Sequence, residues 1–111
     1  MDLFRYFWYV FQQWVKRQPL PLRAIRVEDV PDKINQNLVY VVGNKNNPWL
    51  VVMSCPCGCK AKIHMSLIPE DYPTWQIEQY RNCTITLKPS VWRTQGCRSH
   101  FFLHKGMIDW C

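Results

Sequence analysis

Apolar side chains along this chain follow two periods. Between Leu3 and Val15 they fall at Leu3, Phe4, Phe7, Trp8, Phe11, Trp14 and Val15, the i, i+3, i+4, i+7 spacing of one helix face. Asp2 is placed to cap that helix, and Arg5, Gln12, Gln13, Lys16 and Arg17 take most of its other side, although residues 6–11 are apolar nearly all round. A bilayer span needs about 20 apolar residues, so this segment is too short and too charged to cross one. Three uses are open to it: docking on the domain, binding a partner, or lying on a membrane surface with its basic flanks. Gln18-Pro19-Leu20-Pro21 ends it, because proline lacks the amide donor and disfavours helical geometry in the residue before it.

Beyond the prolines the period shortens to that of strands. Leu22-Arg23-Ala24-Ile25-Arg26-Val27 alternates roughly, as a half-buried strand does, and an acidic bend, Glu28-Asp29-Val30-Pro31-Asp32, follows it. Leu38-Val39-Tyr40-Val41-Val42 and Trp49-Leu50-Val51-Val52-Met53 are strong β runs of valine, aromatic and other apolar residues, separated by the turn-rich stretch 43–48. Ala61 to Met65, Trp75 to Tyr80, Cys83 to Leu87, Ser99 to His104 and Met107 to Trp110 read as further strands, with Lys105-Gly106 as a hairpin turn. The pattern predicts a mainly β fold, a small antiparallel sheet or partly open barrel with one N-terminal amphipathic helix. Residues 1–17 hold the aromatic helix, 18–26 a linker and first strand, and 27–111 the β domain.

Length and charge narrow this little. A chain of 111 residues is one domain with a modest core, short enough that any cross-link between its parts would contribute noticeably. Its formal charge of +6 permits attraction to nucleic acid or anionic lipid, but the basic residues are scattered and nucleic acid is not the expected partner. No cleavable secretory signal opens the chain, so a cytoplasmic protein is expected, peripheral at a membrane if the helix binds one, and the Asn82-Cys83-Thr84 glycosylation pattern is discounted.

Cysteine placement changes the picture more. Cys55-Pro56-Cys57-Gly58-Cys59 sets three thiols at alternate positions around the two residues that bend a backbone most readily. Sulfurs so placed can converge on one ion, and zinc takes four such ligands tetrahedrally. Cys97 supplies a remote fourth, giving a structural zinc site of Cys55, Cys57, Cys59 and Cys97, with His100 of Cys97-Arg98-Ser99-His100 as the rival fourth ligand. Disulfides suit such a tight turn less well. Cys83 reads as a packed strand residue and Cys111 as a loose terminal thiol.

A second constellation accompanies the first. Serine needs a base to become a nucleophile, and histidine is the usual one. Ser99 and His100 are adjacent, and successive side chains on a strand leave opposite faces. Ser90, after Pro89 at the end of one β run, can face His100 across a strand pair. This makes Ser90 the candidate nucleophile and His100 the base, with Glu28 and then Asp29 as candidates to orient the imidazole, and Ser99 as a further candidate. His64, on a strand, and His104, beside a turn, read as bystanders. Two rivals are a non-enzymatic zinc module that binds protein or nucleic acid and a metalloprotease with an open coordination position.

Cys55-Pro56-Cys57-Gly58-Cys59, Thr86-Leu87-Lys88-Pro89-Ser90, Cys97-Arg98-Ser99-His100-Phe101 and Gly106-Met107-Ile108-Asp109-Trp110 together resemble a small bacterial family found in bacterial ubiquitination-like (Bub) operons. Glu28-Asp29-Val30-Pro31 and Leu38-Val39-Tyr40 fit its opening part, and the likeness runs from about Val27 to Trp110. Val91-Trp92-Arg93 and Gly96 depart from the pattern, which has a glycine soon after the serine and a proline beside the late cysteine. The resemblance implies a serine protease that trims the C-terminal tail of a ubiquitin-like protein or removes that protein from targets. It also implies a metal knuckle beside the peptidase site at Ser90 and His100, and, as further partners, the activating-enzyme-like and conjugating-enzyme-like proteins of the same operon.

Overall fold

The computed structural model describes residues 5–8 and 20–111. Nine strands make three small sheets. The largest has the order β1-β2-β3-β4, from Arg23–Val27, Leu38–Gly43, Pro48–Ser54 and Lys62–Ser66. β5 (Gln76–Gln79) pairs with β6 (Ile85–Lys88), and β7 (Val91–Trp92), β8 (His100–His104) and β9 (Met107–Trp110) form the third sheet in that order.

The four-stranded sheet is covered on both faces, which is why β2 is an unbroken apolar run with no polar alternation. Val39 and Val41 turn to one side, where they pack with Val51, Met53, Ile63 and Met65 of the same sheet and with Ile85, Leu87, Phe101 and Leu103 of the other two. Tyr40 and Val42 turn to the other and meet Val52, Leu50, Val30 and Ile34. That second face is closed by the crossover 28–37, which is pinned where the Asn35 amide donates to the Tyr40 hydroxyl at 2.8 Å and Lys62 Nζ to the Pro31 and Asp32 carbonyls at 3.1 and 3.2 Å. Phe101 is fully buried at the junction of the sheets, a burial that contributes roughly 1.5–3 kcal/mol.

Three expectations change. The β strands do not close into a barrel but divide among separate sheets, and β1 pairs with β2 in parallel, Arg23 opposite Leu38 through Val27 opposite Val42. A parallel neighbour requires a crossover, and the acidic bend and its sequel supply it. Cys83 is no packed strand residue; it is exposed at a turn with φ +63° before β6 begins. Of the amphipathic helix expected over residues 3–15, only residues 5–8 lie among those described, and a helical stretch that short does not support it. Among the described residues no helix is long and apolar enough to cross a membrane.

Candidate active site and metal centre

β3 delivers Cys55, and a tight turn returns the chain to β4. The Cys55 amide donates to the Ala61 carbonyl at 2.8 Å and the Gly58 amide to the Cys55 carbonyl at 3.3 Å. Gly58 sits at φ +95° with open space where a Cβ would stand, so its backbone conformation and not crowding calls for glycine. Cys97 arrives from the far side on the loop 93–99, closed by the Arg93 amide donating to the Ser99 carbonyl at 2.8 Å. The Sγ atoms of Cys55, Cys57, Cys59 and Cys97 all lie within 4.8 Å of one another, with Cys55 to Cys57 at 3.3 Å and Cys55 to Cys97 at 3.5 Å. Zinc–sulfur bonds of about 2.3 Å give a tetrahedron with edges of about 3.8 Å, so these four sulfurs can hold one metal ion. His100 is not among them.

An outer ring of donors faces the sulfurs. Ser99 Oγ lies 3.0 Å from Cys97 Sγ and 3.8 Å from Cys55 Sγ, and Arg93 Nη1 donates to Cys97 Sγ at 3.1 Å and Cys59 Sγ at 3.4 Å. The Ser99 hydroxyl, joined by its amide and by the Cys57 and Cys55 thiols, lowers Cys97 to about 6 from the usual 9.0. The Ala61 amide, then Cys57, pulls Cys59 down as well. Cys57 goes the other way: the Cys59 amide favours its thiolate, but hydrogen bonds shared with the Cys55, Cys59 and Cys97 sulfurs outweigh this and push it up to about 11. The cluster spreads its ionisations, and hydrogen bonds to a metal's ligands are what orient such ligands in general.

On the outer face of the third sheet, Ser90 and His100 meet. β6 ends at Lys88, Pro89 breaks the strand, and Trp75 Nε1 donates to the Ser90 carbonyl at 3.2 Å. β7 then runs antiparallel to β8, Val91 opposite Phe101 and Trp92 opposite His100. Phe101 and Leu103 point into the core, so alternation turns His100 outward, and its Nε2 lies 2.8 Å from Ser90 Oγ. The indole of Trp92 stacks on the imidazole with ring centroids 5.3 Å apart and planes at 19°, while Phe102 lies 6.4 Å away on the same face. A hydroxyl against an imidazole nitrogen that lies outside the cysteine cluster is the arrangement by which serine loses its proton to a base.

The other candidates lie elsewhere. Ser99 is buried against the sulfurs and away from the imidazole. Glu28 and Asp29 sit exposed in the bend after β1, and neither makes a hydrogen bond or ion pair to His100; the one ion pair among the described residues joins Lys88 to Glu78 at 2.7 Å. His64 and His104 are exposed on β4 and at the end of β8. Trp92 and Arg93 escaped the sequence reading as contributors. Their only signal was position, two and three residues after the candidate nucleophile, at the end of a strand too short to show a period.

The family model for the bacterial ubiquitination-like system serine protease (BubE) matches residues 26–111. Neither the curated proteins nor the solved structures give a match. The matched span holds the four clustered cysteines, Ser90 and His100, and covers most of the sequence: the chain belongs to the BubE family.

Proposed function

We propose that this chain is a serine peptidase acting on the C-terminal tail of a ubiquitin-like protein, with Ser90 as nucleophile, His100 as general base and a structural zinc ion on Cys55, Cys57, Cys59 and Cys97. The observation that carries the reading is the 2.8 Å approach of Ser90 Oγ to His100 Nε2. Membership of the BubE family supports both the serine chemistry and a ubiquitin-like substrate, processed before activation or released from a target. The activating-enzyme-like and conjugating-enzyme-like proteins of such a system are then its natural neighbours.

In this reading the Ser90 hydroxyl gives its proton to Nε2 as Oγ bonds the scissile carbonyl carbon. The imidazolium returns that proton to the departing amine as the carbon–nitrogen bond breaks. Water, deprotonated by the same imidazole, then hydrolyses the acyl-serine and regenerates the hydroxyl. Among the described residues the Ser90 amide donates to no protein acceptor, which leaves it free to meet the oxyanion beside its own side chain. Four thiolates make a closed donor set of the structural kind. Zinc bound there ties the loop 93–99 to the knuckle, and that loop ends one residue before His100.

A fluorophosphonate probe tests this. Ser90 is expected to take the label, and Ser90→Ala to abolish labelling and reduce peptidase turnover by at least about 10³-fold with metal content unchanged. His100→Ala is expected to lose labelling and keep its metal. Loss of the metal in His100→Ala would make His100 a ligand and end the catalytic assignment. Absence of labelling in the parent chain, together with salt-sensitive binding to single-stranded nucleic acid, would favour a non-enzymatic zinc module.

A further inference from the structure

His100 presents a problem that the proposed chemistry must solve. Its one side-chain hydrogen bond among the described residues goes to Ser90, and among those residues no carboxylate is hydrogen-bonded or ion-paired to it, Glu28 and Asp29 included. In a triad that carboxylate orients the imidazole and stabilises the cation formed when the serine proton arrives. Some other group must do both here.

We infer that Trp92 is the positioning residue, its indole face taking the place of the missing carboxylate; this rests on the Ser90–His100 reading above. Three observations carry it. Trp92 stands directly opposite His100 in the β7–β8 ladder, so the two side chains leave the same face at the same level. The rings are nearly parallel, 19° apart, at a centroid distance of 5.3 Å, which restricts rotation of the imidazole plane toward the indole and away from the line to Ser90. Third, Trp92 is 67% exposed. An indole so open to water adds little to the core, and in a merely structural role it would be replaceable by any residue that tolerates a strand.

The stack serves the reaction at one moment. When Ser90 Oγ–H gives up its proton, the imidazole becomes a cation lying against the face of an indole, and the ring quadrupole attracts it. Phe102 sits alongside on β8, 6.4 Å from the imidazole at a tilt of 31°, and is 46% exposed. Its geometry is poorer, and its share is expected to be smaller.

The test separates this role from bulk and from probe contact. In fluorophosphonate labelling, Oγ attacks phosphorus, fluoride leaves and the proton passes to His100. Labelling of the metal-loaded protein is followed over a range of probe concentrations, giving a first-order constant and a half-saturation concentration. Trp92→Ala is expected to lower the first-order constant by about tenfold and to leave half-saturation within about twofold. Trp92→Phe, which keeps an aromatic face, should recover most of the rate, whereas Trp92→Leu, which keeps only bulk, should be as slow as alanine. If the alanine variant loses metal or stability, the leucine and phenylalanine pair decides alone. A leucine variant as fast as the parent overturns the inference, as does a loss confined to half-saturation, which would make Trp92 a contact for the probe. Neither result touches the peptidase reading, which fails instead if the parent chain is unlabelled or if Ser90→Ala still labels.

Discussion

Ser99 and His100 are neighbours that face different chemistries, one turned to the sulfurs and the other to a hydroxyl. Alternation forces the split, and it makes Ser99 a tuner of Cys97. With Cys97 held at about 6 and Cys57 at about 11, the first is mostly thiolate at pH 7 and the second is a thiol. In protein stripped of metal by chelator, iodoacetamide at pH 7 is therefore expected to alkylate Cys97 at least about tenfold faster than Cys57, as peptide mass mapping would show. The Cys97 rate itself falls as pH drops through 6, where that thiol takes up its proton, and Ser99→Ala should weaken the preference at pH 7 by raising Cys97 toward the ordinary thiol value. Equal rates at pH 7 would contradict the assignment. At this scale the sequence was partly legible. Alternating cysteines around Pro56 and Gly58 announce a convergence of sulfurs because turn geometry is local. The donors Ser99 and Arg93, and the stack of Trp92 on His100, depend on which strands become neighbours and leave no trace in residue order.

Strands are where the hydrophobic pattern spoke most clearly. β2 and β3 are runs of valine, aromatic and other apolar residues, and those runs were enough to place them. What they could not reveal was partnership: nothing in Arg23–Val27 says that its neighbour is Leu38–Gly43, or that the two run parallel. Nor does any local feature divide the strands into three sheets. Part of that arrangement converges on one turn. Lys105 and Gly106 have φ of +48° and +80°, the mirror-image geometry of a two-residue hairpin. The Gly106 carbonyl accepts from the Leu22 amide at 2.8 Å, and its own amide donates to the Ile85 carbonyl at 3.0 Å, joining the chain just before β1, the start of β6 and the β8–β9 hairpin. A Cβ there would stand 2.7 Å from the Leu22 carbonyl oxygen. Gly106→Ala is therefore expected to cost about 1–3 kcal/mol, read as a melting temperature lower by several degrees. An unchanged melting curve would mean that the three elements do not depend on this junction.

For the molecule as a whole, the loop 93–99 matters more than its length suggests. One end carries Arg93, whose amide and guanidinium fasten it to Ser99 and to the sulfurs. The other runs straight into His100. Removing the metal is expected to lower the melting temperature and, before global unfolding, to slow fluorophosphonate labelling of Ser90, with zinc restoring both; labelling indifferent to chelator would uncouple the two sites. The coupling bears on how such a protein would be classified at the bench. A hydrolase whose nucleophile is a side-chain alcohol would be silenced by phenanthroline as readily as by an organophosphate, and an inhibitor panel read at face value would file it with the wrong mechanistic class.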